Sequence, residues 1–212
     1  MLRSLAVGLL GLSAAFWTGC ELPVSVHPLS DRETSEIDAC LFGSWDVQLG
    51  EPSTSTNENP IYFGRLEGQP KVMEMVTVAV ADDGEIKIER GPLYVKKLGP
   101  LHCLSLPASN GETEEARYSL VRYEVDGRRL KLFFLSKDKT AAAIERKELA
   151  GELVREVPNP KEPAATQSPR YKSVLITAET PELIAYFEKH GKAAFDETPY
   201  ATLHKLTPKA DE

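Results

Sequence analysis

The sequence has few of the residues that carry catalysis or bind metals. Its four histidines and three cysteines form neither an HExxH nor a CxxC motif, which argues against a zinc site. It also has no GxSxG turn, no GxGxxG loop and no Walker loop, which argues against a serine hydrolase with a nucleophile elbow and against a nucleotide cofactor. We therefore predict a protein that is not an enzyme and that holds no metal or cofactor.

Basic residues are also fewer than acidic residues. The chain has 25 Lys and Arg residues against 32 Asp and Glu residues, a formal net charge of −7. A nucleic-acid partner is excluded on this basis, because phosphate neutralisation requires clustered basic side chains. The same balance disfavours electrostatic attraction to anionic lipid, so any membrane contact is expected to be apolar.

No apolar run is long enough to span a bilayer. The longest, residues 5–17, is about 13 residues, whereas a membrane-spanning helix needs ~20. Arg3 gives the chain a positive start, and Thr18 and Gly19 place small side chains before Cys20. This layout is typical of an export signal that is removed from the mature protein. The alternative is a buried N-terminal helix, which the glycines in the run disfavour.

The residues W17-T18-G19-C20 resemble the lipobox of bacterial lipoproteins. In that family an apolar residue, two small residues and a cysteine direct lipid to the cysteine sulfur. The resemblance implies that residues 1–19 are a signal peptide, that Cys20 is lipidated, and that acyl chains anchor the protein in the cell envelope. Glu21, rather than Asp, implies sorting to the outer membrane, on its periplasmic face. Trp17 is a departure, since the family prefers an aliphatic residue there.

Lipidation of Cys20 leaves Cys40 and Cys103 in a compartment that permits disulfides. The two residues form either a disulfide or two separate buried thiols, and the sequence leaves both alternatives open.

Composition divides the mature chain into three parts. Residues 20–40 are polar and broken by Pro23 and Pro28, which predicts a tether between the anchor and a domain. Residues 41–207 predict a single β-rich globular domain, and residues 208–212 a disordered tail.

Short alternating runs of apolar and polar residues follow one another through the domain, which predicts strands. Asp82-Asp83-Gly84 and Asp126-Gly127 lie between such runs and predict hairpin turns. The gaps are too short for crossover helices, so the fold class is mainly β (α+β), an antiparallel sheet or barrel-like sandwich. The predicted strands cover residues 45–49, 61–66, 72–81, 85–89, 93–98, 101–106, 118–125 and 130–135.

Two helices interrupt the strands. Residues 138–150 are rich in Ala, Glu, Lys and Leu, and Gly151 is the expected residue after the helix. The second helix has Thr180 as its expected N-cap and ends at Gly191. Strands at 173–177 and 200–206 flank this second helix.

Gly43-Ser44-Trp45 resembles the G-x-W motif of lipocalins. In that family the tryptophan packs across the closed end of a β-barrel, and an arginine from a late strand covers it. The resemblance implies such a role for Trp45, with Arg122, Arg128 and Arg129 as candidates for the covering arginine.

A wider pattern is similar to a group of uncharacterised bacterial lipoproteins, which implies architecture and location but no activity. It comprises H27-P-L-S-D, L41-x-G-x-W45, the leucine-rich stretch 93–107 and the stretch 176–187.

These observations predict a lipid-anchored binding or protein-interaction module, whose partner is an unknown envelope protein. One alternative is a lipocalin-like carrier of a small apolar ligand. Another is an unrecognised envelope hydrolase built from the loops 50–60 and 107–116, which contain no histidine. His102 and Cys103 do not form a catalytic pair, since neighbouring residues on a strand point to opposite faces.

Overall fold

The computed structural model describes residues 22–48, 60–80, 85–108, 116–156 and 171–207. Short 3-10 helices lie at Ala39–Leu41 and Gly191–Ala194. No helix within these ranges is long and apolar enough to cross a membrane. In chain order the other elements are β1 (Val24–Ser25), β2 (Gly43–Gln48), β3 (Ile61–Arg65), β4 (Met73–Val80), β5 (Ile86–Leu98), β6 (Leu101–Ala108), β7 (Arg117–Asp126), β8 (Arg129–Phe134), α1 (Lys137–Glu145), β9 (Gly151–Arg155), β10 (Tyr171–Ile176), α2 (Thr180–His190) and β11 (Ala201–Lys205).

Eight of the strands close into an antiparallel barrel. Their order is β6-β5-β4-β3-β2-β11-β8-β7, and β7 pairs back onto β6. Beyond β7 the sheet continues through β1, β10 and β9, with β1 parallel to β10. The mainly β, barrel-like fold that the sequence predicts is therefore confirmed, with both helices inserted between barrel strands β8 and β11.

The eight barrel strands differ from the eight that the alternating runs predict. The runs 85–89 and 93–98 are one strand, β5, and the eighth position belongs to β11. Pro92 does not interrupt β5, because β6 pairs with β5 only from Tyr94 onward. One edge of the strand at Pro92 therefore has no partner, and there a missing N–H costs no hydrogen bond.

Apolar side chains fill the barrel. They come from alternate positions of every barrel strand, as expected when successive side chains point to opposite faces. The best-buried of them are at most 2% exposed: Trp45, Phe63, Met73, Leu93, Val95, Leu104, Val121, Tyr123, Leu130 and Leu203.

A second core lies outside the barrel, between β5–β8 and helix α2. Phe187, Leu183 and Phe195 pack there against Phe133 and Cys103. The helix begins one residue earlier than predicted, because Glu179 rather than Thr180 is the N-cap and forms a reciprocal capping box with Glu182. It ends at Gly191 as predicted, where φ is 56°.

Helix α1 ends before the predicted residue 150. Its last residue is Glu145, and Lys147 takes the left-handed conformation with φ 58°. The N–H of Lys147 donates to Ile144 O at 2.9 Å and the N–H of Glu148 to Ala143 O at 2.9 Å. These bonds form a Schellman motif with lysine where glycine is usual. The chain then turns and enters β9 at Gly151.

The prediction of a tether over residues 20–40 is wrong for the described part, from residue 22 onward. Ser25 pairs with Tyr118 of β7, and Leu29 is 1% exposed. Ser30 Oγ donates to Val95 O at 3.0 Å. Polar residues are buried here because hydrogen bonds satisfy them, which composition cannot reveal. The signal peptide, Cys20, the Asp82-Asp83-Gly84 turn and the tail 208–212 lie outside the described residues.

Candidate functional site

One end of the barrel is closed around Trp45. The 3-10 helix Ala39–Leu41 lies there, and Trp45 Nε1 donates to Leu41 O at 2.7 Å. The Trp45 side chain is completely buried, and Lys205 Nζ of β11 lies 5.2 Å from its ring centroid. A cation over an indole face is attracted by the ring quadrupole. This arrangement is the one that the G-x-W resemblance implies, except that the cation is a lysine.

None of the three candidate arginines covers Trp45. Arg122 lies on the outer face of the barrel, 3.5 Å from the Phe133 ring centroid. Arg128 donates to Lys205 O at 2.7 Å, and Arg129 donates to Asp126. The covering strand is β11, which follows the inserted helices in sequence but lies beside β2 in the barrel, so spacing along the chain does not identify it.

A cluster of polar side chains centred on Asp38 lies at the closed end of the barrel. Asp38 Oδ2 accepts a hydrogen bond from Tyr123 Oη at 2.6 Å, with Lys97 Nζ at 3.4 Å and His102 Nδ1 at 3.9 Å. Asp38 Oδ1 accepts from Cys40 N at 3.1 Å. Burial acts to raise the pKa of Asp38, but the hydrogen bonds from Tyr123 and Cys40 and the charge of Lys97 together hold it below its usual value. Burial raises the pKa of Tyr123, and the neighbouring carboxylate adds to the effect.

The opposite end of the barrel is less tightly filled. Val47, Met75, Gly91 and Ser119 face the interior there, and each is only partly buried. Most of the connections at this end, residues 49–59, 81–84 and 109–115, lie outside the described residues.

A groove with a volume of about 600 Å³ lies outside the barrel, between the turn after α1 and helix α2. This volume is within the range of about 300–1,000 Å³ that is usual for ligand sites. Its floor is apolar, and its rim carries charges of both signs. The floor comprises Ile144, Leu149, Ala150, Gly151, Ala185 and Tyr186, and the rim Lys147, Glu148, Glu182, Lys189 and His190.

Two local features shape the groove. Gly151 is required for close packing, because a Cβ at this position would lie 2.6 Å from both Ile144 Cδ1 and Leu175 O. Lys147 stands at the rim in its left-handed conformation. A non-glycine residue in this conformation costs roughly 1–2 kcal/mol, a strain that is often found at binding sites.

Aromatic and charged groups meet on the α2 side of the groove. The rings of Tyr186 and His190 lie 4.4 Å apart at 34°. His190 Nε2 is 3.6 Å from Glu148 Oε2 and, among the described residues, has no hydrogen-bond partner. The hydrogen bond from Arg146 holds the pKa of Glu148 below its usual range. Burial, followed by the charge of Glu148, raises the pKa of Tyr186.

The groove opens beside the edge of the sheet. Gly151, which lines it, is the first residue of β9, and in the described part of the chain no strand lies beyond β9. Val154 of β9 is 51% exposed. An edge strand presents backbone N–H and C=O groups that can pair with an added strand.

Cys40 and Cys103 lie in different surroundings. Cys40 is exposed on the 3-10 helix, and Cys103 is buried on the outer face of β6; both thiols are free in this structure. Burial raises the pKa of Cys103 to about 12. Their pairing remains a prediction, and so does the lipidation of Cys20, which lies outside the described residues.

The described residues bring together no group of three His, Cys, Asp or Glu side chains that could hold a metal ion. Within the same ranges, no serine or cysteine side chain hydrogen bonds to a histidine ring. The loops assigned to the hydrolase alternative are almost entirely outside these ranges; of them only Pro60, Pro107, Ala108 and Ala116 are described.

Comparison with known proteins adds no relative. No protein-family model matches the chain, and neither a curated protein nor a solved structure is significantly similar to it. Sequence reasoning also missed the groove. The i,i+4 spacing of Tyr186 and His190 was a readable signal, but the left-handed Lys147 that turns the chain beside them was not.

Proposed function

We propose that the protein is a lipid-anchored, non-enzymatic binding module of the bacterial cell envelope, and that the groove beside α2 holds an extended segment of a partner protein. The observation that carries the proposal is the filled barrel combined with an external groove. Ten interior side chains at most 2% exposed leave no deep cavity in that part of the barrel. The barrel then acts as a rigid scaffold that presents the groove.

The groove has the properties of a peptide site. Apolar residues such as Leu149 and Tyr186 can receive side chains, and Lys189 and Glu182 can pair with charges of either sign. The free edge of β9 begins at the same place, and an extended peptide can add to such an edge through main-chain hydrogen bonds. In such complexes the main-chain hydrogen bonds to the strand edge give affinity, and the pockets that receive alternate side chains of the peptide give specificity.

The anchor is supported by the sequence alone. A short apolar run precedes Thr18-Gly19-Cys20 in the order that lipoprotein export signals show. Mass spectrometry of the mature N-terminal peptide tests it directly. We expect the peptide to begin at Cys20 and to carry acyl mass. An unmodified peptide, or one beginning at Met1, would contradict the anchor.

Site-specific photo-cross-linking in cells tests the groove. A photoreactive phenylalanine replaces Ala185 in the groove or, as the control, Glu67, which is exposed in the turn between β3 and β4. We expect a discrete protein adduct from position 185 and none from position 67. Equal labelling at both positions would show that the groove has no partner preference.

Charge reversal at the rim provides the matched test. Lys189→Glu changes the groove, whereas Lys71→Glu makes the same change at the barrel's closed end. We expect the adduct at position 185 to be lost only with Lys189→Glu. Retention of the adduct in both variants would exclude a role for the rim charges.

A carrier of a small apolar ligand is the second candidate function. The observation that favours it is that Val47, Met75, Gly91 and Ser119 face the barrel interior at the end opposite Trp45 and are only partly buried. An apolar fluorescent probe should bind there, and Met75→Trp should weaken its binding by filling the space. Leu206→Ala, an exposed apolar residue after β11, is the control. Probe binding unaffected by Met75→Trp would rule out this location.

A further inference from the structure

Strand β5 has a long edge without a partner where the β4–β5 hairpin extends beyond the barrel. The ladder between β4 and β5 continues to Val80–Ile86, whereas β5 leaves β6 at Tyr94–Ser105. In the part of the chain that the structure describes, no strand therefore lies beside residues 86–93 on the side away from β4. Such a strand edge presents backbone groups that can pair with another strand.

The backbone groups on this edge belong to the even-numbered residues of β5. The N–H of Val95 donates to Ser35 Oγ at 2.9 Å and not to β6, so it points to the β4 side of the strand. The ladders of β5 show no register shift from residue 86 to residue 98. Because successive residues direct their backbone groups to opposite edges, those of Ile86, Ile88 and Arg90 face the edge without a partner.

The side chains along this edge are apolar on one face and charged on the other. Ile86 is 63% exposed and Ile88 is 58% exposed, the highest values among the large apolar residues that the structure describes. They share their face with Arg90, whereas Lys87 and Glu89 lie on the opposite face. An edge strand with exposed apolar side chains is a site at which chains associate.

We propose that this edge of β5 pairs with the same edge of a second copy of the chain, antiparallel, about a two-fold axis at Ile88. Ile88 then lies opposite the partner's Ile88, and Ile86 lies opposite the partner's Arg90. These residues direct their backbone groups to the edge, so each pair exchanges two main-chain hydrogen bonds. On the other face Lys87 lies opposite the partner's Glu89 in both halves, and opposite charges at such positions are stabilising.

Moving the axis by one residue in either direction removes this complementarity. An axis at Lys87 places this lysine opposite the same lysine of the partner. An axis at Glu89 places two glutamates opposite each other, and it places Ile86 opposite Pro92, which has no N–H to donate. Like charges directly opposite each other are destabilising. Of these three registers, only the one centred on Ile88 joins opposite charges.

The dimer joins two ribbons of two strands into one four-stranded antiparallel sheet. A two-stranded ribbon is marginally stable in water, whereas a sheet of three or more strands with an apolar face is not. Few residues of each copy take part, so the dimer is expected to be transient and to depend on protein concentration. The contact uses neither the groove beside α2 nor the lipid anchor, and it therefore does not rest on the proposed function.

Charge reversal across the two-fold axis tests the dimer. The full chain is purified in a non-ionic detergent, and sedimentation equilibrium in a solvent that matches the detergent density gives its mass over a range of protein concentrations. We expect the mass to rise from that of one chain toward that of two. Lys87→Glu and Glu89→Lys should each weaken dimerisation by about tenfold or more, because each places like charges opposite each other twice. Lys71→Glu makes the same charge change on an exposed lysine before β4 and should have no effect.

Mixing the two variants tests the register. In a mixed dimer of the Lys87→Glu and Glu89→Lys chains, opposite charges meet again at both pairs, so an equimolar mixture should dimerise as the unmodified chain does. A chain that carries both substitutions should do the same. An unmodified chain that stays monomeric at every concentration would overturn the proposal. So would a dimer that neither single substitution weakens, because it would use another surface, and so would a mixture that remains as weak as its components.

Discussion

Removing the Tyr123 hydroxyl should measurably loosen the closed end of the barrel. Tyr123 is 2% exposed, and its hydroxyl donates to the Asp38 carboxylate at 2.6 Å. A hydrogen bond to a charged group contributes about 1.5–3 kcal/mol, so Tyr123→Phe should lower the free energy of unfolding by about 2 kcal/mol at neutral pH. Urea unfolding followed by circular dichroism measures this change. Tyr62→Phe, at an exposed tyrosine on β3, is the control and should change stability by less than about 0.5 kcal/mol.

The pH dependence of stability tests the same contact independently. The folded-state pKa of Asp38 lies below its ordinary value of 3.8. The stability that this carboxylate contributes is therefore fully present above the ordinary pKa and is lost as the pH falls through the folded-state pKa. Tyr123→Phe removes one of the groups that lower this pKa, so the acid-dependent loss of stability should be smaller in this variant and should be complete at a higher pH. Asp38→Asn should remove this part of the acid dependence.

A double-mutant cycle between Tyr123 and Asp38 measures the coupling free energy of the two side chains. We expect Tyr123→Phe and Asp38→Asn to be non-additive by about 1 kcal/mol or more, as for residues in one hydrogen-bonded network. Additive effects, or a loss with Tyr123→Phe no larger than in the Tyr62→Phe control, would refute the assignment of this hydrogen bond to the closure of the barrel.

Three other outcomes follow from the structure. Lys205→Ala should lower the free energy of unfolding by about 1 kcal/mol, since it removes the cation over Trp45, and Lys205→Arg should retain most of it in the same urea assay. In the Cys20→Ser chain, a thiol reagent should modify exposed Cys40 in the folded protein and buried Cys103 only after unfolding; no reactive thiol after unfolding without reductant would instead show a disulfide. Lys147→Gly should raise the thermal midpoint by relieving roughly 1 kcal/mol of left-handed strain, and an unchanged or lower midpoint would contradict that strain.

Local chemistry made a large part of the fold predictable. Alternation of apolar and polar residues identified seven of the barrel strands, although it divided β5 into two, and Asp126-Gly127 marked a real hairpin in which Gly127 has φ 59°. Helix α2 was predictable because Pro181 at its start and Gly191 at its end act on backbone conformation directly. These signals depend on neighbouring residues only, so they can be read without knowing which strands meet.

Other features were decided by contacts between distant parts of the chain. Residues 22–40 look like a tether because serines and an aspartate are polar, yet the carbonyl of Val95 and the hydroxyl of Tyr123 satisfy them in the core. The cation over Trp45 comes from β11, which follows the helical insertion. The groove exists only because α1 stops short and the chain crosses beside α2.

The sequence by itself determined the class of fold and predicts the lipid-bearing cysteine, because strand alternation, turn residues and an export signal are local patterns. Tertiary structure decided how the barrel closes, which cation covers Trp45 and where the groove beside α2 lies. The physical reason is that barrel closure and the groove depend on pairing between strands and helices far apart along the chain, whose energies no local pattern contains.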